Sequence, residues 1–181
     1  MTVTLGRTTA DPHVPPPPAR LSLTPGAAPC LLDGAWWPRS RDLGRELPAL
    51  LERLERRWGR IARVTVQPAF WSALPREVPV AAHAVRVGRF AAGRDRYKLL
   101  LLSPAGRWDL LIVPPETGPA AAGRLLSAAS LPGGLLTAGE LMDDERAAAD
   151  VDRPGAGEES WESEGGAPPA PAGRPATARG R

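Results

Sequence analysis

Leu31-Leu32-Asp33-Gly34-Ala35-Trp36-Trp37-Pro38-Arg39-Ser40 is the densest stretch of the chain, and the elements on either side are placed by how it is read. Asp33-Gly34 signals a turn and Pro38 a stiff exit, so the stretch reads as a loop carrying two adjacent tryptophans. Before it, Arg20–Thr24 reads as a first strand, with Leu21 and Leu23 on one face and a long turn through Pro25, Gly26 and Pro29 behind. After it runs the clearest helix. Leu43, Leu47, Leu50, Leu51, Leu54 and Trp58 recur at helical spacing, while Arg and Glu fall off the stripe. Ser40 or Asp42 is placed to cap its start and Gly59 to close its end. Pro48 removes one hydrogen bond and crowds the carbonyl of Gly44. A kink is expected there, or a short first turn followed by the main helix from Glu46.

Four more strands follow in the pattern. Arg60–Gln67 alternates, with Ala62, Val64 and Val66 on one side. A loop with Pro68, Pro75 and Pro79 carries Phe70 and Trp71. Ala82–Phe90, Tyr97–Ser103 and Trp108–Val113 are separated by short glycine-containing links, which predicts an antiparallel meander. An Ala-rich helix is expected from Thr117 through Ala129, stopped by Pro132-Gly133-Gly134. Thr137-Ala138-Gly139-Glu140 is a capping box for a last helix to about Ala149, with Leu136 and Leu141 as its staple. The fold class read from the sequence is α+β: an antiparallel sheet of about five strands, a meander in its second half, packed with two or three helices.

Composition sets the limits of the domain. The chain has 181 residues, among them 22 prolines, 19 glycines and 30 alanines, and that excess is incompatible with a coiled coil. Residues 1–19 are a Pro-rich lead-in and residues 150–181 an acidic and then Gly/Pro/Arg tail. Neither holds enough apolar surface to offset the entropy of ordering, so both are expected to be disordered around one domain at 20–149. The longest aliphatic runs, Leu99–Leu102 and Leu110–Val113, are far short of a membrane span. With no apolar segment near Met1, a soluble, cytoplasmic protein with no membrane partner is expected. The net charge of +3 hides a polarity: residues 20–139 carry 17 Arg or Lys against nine acids, and residues 140–164 carry two against ten. Arg for Lys, with no asparagine, also follows from a GC-rich codon pool, so the basic body is either an ordinary solvated surface or a phosphate-facing one.

Leu32-Asp33-Gly34-Ala35-Trp36-Trp37-Pro38-Arg39-Ser40-Arg41-Asp42-Leu43, followed by Glu46-Leu47-Pro48, resembles the signature of an uncharacterised actinobacterial domain family. Val87-Gly88-Arg89-Phe90 and Asp109-Leu110-Leu111-Ile112-Val113-Pro114-Pro115 fit the same family, and the likeness covers roughly residues 20–130. It implies a self-contained domain of unknown function. It supplies no activity, catalytic residue or ligand.

Candidate chemistry centres on the quoted stretch. Arg39, Ser40 and Arg41 stand at a helix start, where free N–H groups and the dipole favour an anion, and Trp36 or Trp37 is suited to stack on a ring. The same residues also suit a structural role, with the tryptophans as core anchors and Ser40 as a cap. Three further residues are candidates for an active site: Asp33, His83 and Asp109, provided that at least two meet in one pocket. Cys30 has no base beside it in sequence, and His13 lies in the lead-in. No Walker loop, G-x-G-x-x-G, G-x-S-x-G or H-E-x-x-H occurs, and no cofactor or metal is expected. The leading expectation is a non-enzymatic binding or accessory module with a small anionic ligand at Trp36–Arg41. The alternatives are nucleic-acid association through Arg53, Arg56, Arg57, Arg60 and Arg63, modulated by the acidic tail, and an enzyme of undetermined class.

Overall fold

The computed structural model describes residues 17–151, apart from 27–28, 82 and 92–94. The expected N-terminal lead-in falls almost wholly outside the described residues, as does the expected tail. The chain divides into two units, Met1–Arg146 and Ala147–Arg181. The described residues form seven strands and three α-helices. In order these are β1 (Arg20–Leu23), β2 (Gly34–Trp37), α1 (Leu43–Trp58), β3 (Arg63–Val66), β4 (Glu77–Val80), β5 (His83–Arg89), β6 (Lys98–Ser103), β7 (Gly106–Ile112), α2 (Pro119–Ala128) and α3 (Ala138–Val151).

The class is α+β as expected, but the sheet is larger and mixed. Its order is β1-β2-β7-β6-β3-β5-β4, with two parallel pairs, β2 with β7 and β3 with β5. Two of its strands come from segments read as loops. Gly34–Trp37 extends because its ladder partners, β1 and β7, flank it on both sides; the turn signal of Asp33-Gly34 acts only at its entry. Glu77–Val80 carries Pro79, which a strand tolerates only where no partner needs its N–H, and β4 lies at the end of the sheet. The expected meander is also corrected. β6 and β7 form a hairpin, but β3 is inserted between β5 and β6.

Gly34 shows how tightly β1 and β2 approach. Its φ is +147°, and a Cβ there would lie 2.2 Å from the carbonyl oxygen of Ser22. Only glycine fits.

The register places each side chain on one of two faces. Val78, Val85, Val64, Leu101, Leu99, Leu110 and Trp36 share the face covered by α1, whose Leu43, Leu47, Leu50, Leu51 and Leu54 are fully buried. Trp58 of α1 stacks on Trp108 of β7 at 4.7 Å. The helix is continuous through Pro48 rather than starting again after a short turn. Asp42, not Ser40, is its cap, accepting from the Arg45 N–H at 3.2 Å. Gly59 closes it by donating to Glu55.

The opposite face is only half covered. α2 packs on β1 and β2, and Ser22 Oγ reaches Ser130 Oγ at 2.9 Å. The capping box forms before α3: Glu140 accepts from the Thr137 N–H at 2.7 Å. Those contacts hold its carboxyl below the usual range, through the Thr137 backbone bond first and its hydroxyl second. Over β6, β3, β5 and β4 the same face is open: Arg63, Arg86, Ala84 and Pro79 are exposed, and Leu100 and Leu102 half-exposed.

Candidate functional site

A pocket of about 600 Å³ opens where the covered half of that face meets the open half. Asp33, at the entry to β2, and Asp109, within β7, come together there although they are 76 residues apart. The parallel pairing of β2 with β7 is the cause. The Asp33 N–H donates to the Asp109 carbonyl at 2.7 Å, and the Asp109 N–H donates to Asp33 Oδ2 at 2.8 Å. Lys98, at the start of β6, and Arg107, on β7 close to the hairpin turn, each reach Asp109 Oδ2 at 3.0 Å. The Asp109 carboxylate is 15% exposed and Lys98 28%, so that pair is partly withdrawn from water, while Arg107 stays mostly exposed.

Asp33 is held differently. Burial pushes its carboxyl above the usual aspartate range, and the nearby Asp109 charge adds to this. The Asp109 N–H, Lys98 and Arg107 oppose the shift. Two carboxyls thus share one pocket, one compensated by cations and the other a weaker acid than usual. Phe90, Leu31 and Leu32 add apolar wall, and Thr137, Ala138 and Asp95 close the side toward α3. Asp95 accepts from the Gly139 N–H at 2.7 Å and the Tyr97 N–H at 3.0 Å, which fixes the loop before β6 against the start of α3. Cys30 lines the same pocket; burial, and then the Asp33 charge, raise its thiol, so it is a poor nucleophile there.

The other sequence candidates are placed elsewhere. His83 lies on the α1 face, with Nε2 at 3.0 Å from Glu55 Oε1 and 3.3 Å from the Ile61 carbonyl. Because Trp36 and Trp37 sit on a strand, they point to opposite faces. Trp36 is 1% exposed and stacks on Trp71 at 5.6 Å. Trp37 is half-buried, with the Arg20 guanidinium 3.4 Å from its ring centroid. Arg39 donates to the Pro18 carbonyl, and Ser40 Oγ to Glu46 at 2.8 Å. Arg41 makes a two-point contact with Glu116 at 2.7 and 3.0 Å and also donates to the Phe70 carbonyl. That contact holds the Glu116 carboxyl below its usual range. Of the five, Arg41 also lines a second cleft of about 450 Å³, with Phe70, Arg96 and Tyr97. The five arginines suggested for nucleic acid do not share one surface. Arg57 donates to the Thr24 carbonyl and Arg56 to Glu52, both from α1, whereas Arg63 projects from the opposite face of the sheet.

Comparison with known proteins bears on residues 20–129, which match the model of a family described as a family of unknown function, DUF5994. The chain belongs to that family. No curated protein and no solved structure matches it. The DUF5994 match spans β1 through the end of α2 and so contains Asp33, Lys98, Arg107 and Asp109, while Thr137 and Ala138 of the pocket wall lie beyond it. Lys98 and Arg107 carried no signal of their own in the sequence.

Proposed function

We propose that this DUF5994 domain is a binding module for a small metabolite bearing hydroxyl or amine groups, held in the pocket at Asp33 and Asp109. The observation that carries this reading is the meeting of those two residues, locked by one backbone–backbone bond and one from the Asp109 N–H to the Asp33 carboxylate, at a pocket of about 600 Å³. Pockets of this size with a few convergent polar groups on an apolar wall are the usual form of a small-molecule site. Asp33 and Asp95 offer acceptors, Lys98 and Arg107 offer donors, and Phe90 offers a surface for the ligand body. Trp36, Trp37, Arg39, Ser40 and Arg41 serve this reading as support: they fix β2 and the start of α1, and with them the position of Asp33.

The test is saturation-transfer NMR on the full chain with a set of polyols, monosaccharides and primary amines. At least one compound is expected to bind, with affinity falling roughly tenfold in Asp33→Asn or Lys98→Met, as expected when one hydrogen-bond partner is lost. Absence of transfer from every class, or binding indifferent to both substitutions, rejects the pocket as the site.

A second reading has one observation in its favour. A carboxyl with its proton held to higher pH, beside a carboxylate paired with two cations, is the arrangement that general acid catalysis uses. Asp33 is then the acid, and turnover of a bound compound should disappear in Asp33→Asn while binding survives.

A further inference from the structure

The open half of the sheet carries a second feature adjoining the pocket. Register across the strands puts Arg86, Arg63, Leu102 and Arg107 in one row, and Gly88, Thr65, Leu100 and Asp109 in the next. Arg63 and Arg86 are therefore directly opposite each other on neighbouring strands, about 4.8 Å apart at the backbone. Like charges in that position destabilise a sheet. Among the described residues, Glu77, at 3.8 Å from Arg86, is the one acid paired with either arginine. Among the described residues, neither the Arg63 guanidinium nor the Thr65 hydroxyl has a hydrogen-bond or ion-pair partner. Gly88, on β5, lies beside both, and glycine within a strand marks a place of close approach. A Cβ at Gly88 would lie 3.0 Å from Thr65 Oγ1 and 3.3 Å from Arg63 Nε, so both groups lean over bare backbone. Phe90, two residues on and just past the end of β5, is already a wall of the pocket.

We infer that Arg63, Arg86 and Thr65 form an anion subsite over Gly88, which seats a phosphoryl group at the charged end of the ligand bound in the pocket. This rests on the pocket reading for the rest of the ligand. The Arg63 guanidinium and the Thr65 hydroxyl meet over Gly88, with Arg86 opposite Arg63 as a second cation, and guanidinium geometry matches phosphate oxygens. The bound anion also removes the Arg63–Arg86 repulsion. Strand spacing puts Thr65 two strands from Asp109, about 10 Å, so a ligand with a phosphoryl group at one end and hydroxyls at the other spans the two.

The experiment is an amide NMR titration of the full chain with inorganic phosphate, glycerol phosphate, glycerate and glycerol at matched ionic strength. Phosphate and glycerol phosphate are expected to shift the Gly88 and Thr65 amides saturably. The shift should vanish in Arg63→Gln and weaken in Gly88→Ala, whose added methyl occupies the floor. Should Gly88→Ala not fold, Arg63→Gln, an exposed position, still decides. No phosphate shift at Gly88 and Thr65, a shift unaffected by Arg63→Gln, or an equal response to glycerate overturns the inference. Glycerol, which lacks the anion, reads the Asp33 and Asp109 amides separately. A failure of the subsite is thereby visible apart from a failure of the pocket.

Discussion

Asp33 carries the clearest consequence at the scale of a single residue. In the unfolded chain its carboxyl titrates near 3.8, and burial raises it in the folded chain. Between those two values the folded state binds more protons than the unfolded state. Stability supported by the protonated form is thus present below about pH 4 and is lost as pH rises through the folded value. Asp33→Asn removes that loss and keeps an oxygen to accept from the Asp109 N–H. Urea midpoints measured from about pH 3 to pH 7 should show the variant gaining on the wild type as pH rises. A constant difference across the range means that the folded carboxyl is not raised. Residue-scale reading of the sequence picked out Asp33 and Asp109 separately, from a turn signal and from an acid in an apolar run. It could not bring them together, because their contact is set by a strand pairing that neither local pattern encodes.

At the scale of elements, local rules work where local forces decide. The leucine stripe of α1, the capping box of α3 and the β6–β7 hairpin all formed as their spacing indicates. Caps are in this class. Asp42→Ala should destabilise the domain by about 1 kcal/mol, read from denaturant midpoints, because the Arg45 N–H loses its acceptor. Ser40→Ala should leave that bond in place, which separates the two residues that sequence alone put forward as alternatives. Elements whose form depends on distant partners were illegible. Gly34–Trp37 has a turn dipeptide before it and a proline after it, and is a strand because β1 and β7 enclose it. At Trp36–Arg41 the strand sends Trp36 inward and Arg39, Ser40 and Arg41 bond to neighbouring groups, while Arg41 also lines the second cleft.

For the whole molecule, Trp36 is the joint between two halves of the sheet. Its strand pairs with β1 on one side and β7 on the other, and its ring stacks on Trp71 beneath α1. Trp36→Ala should cost about 3–5 kcal/mol, as large aromatic truncations in a core do. Thermal or urea unfolding checks this, and a loss below about 1 kcal/mol would contradict the core placement. The half-open face follows from the same layout. α1 packs on one side of the sheet and α2 on β1 and β2 on the other; the pocket lies where that cover ends, and the arginine pair lies on β3 and β5 within the open part.

Pro79 has one more consequence. A sheet recruits a further strand through the N–H and C=O groups along its outermost strand, and intermolecular sheet growth begins there. On β4 the proline has no N–H to present, and Glu77 places a charge two residues away. A second copy aligning along β4 would leave a carbonyl without its donor. The imino acid thereby disfavours growth of the sheet into a filament on that flank.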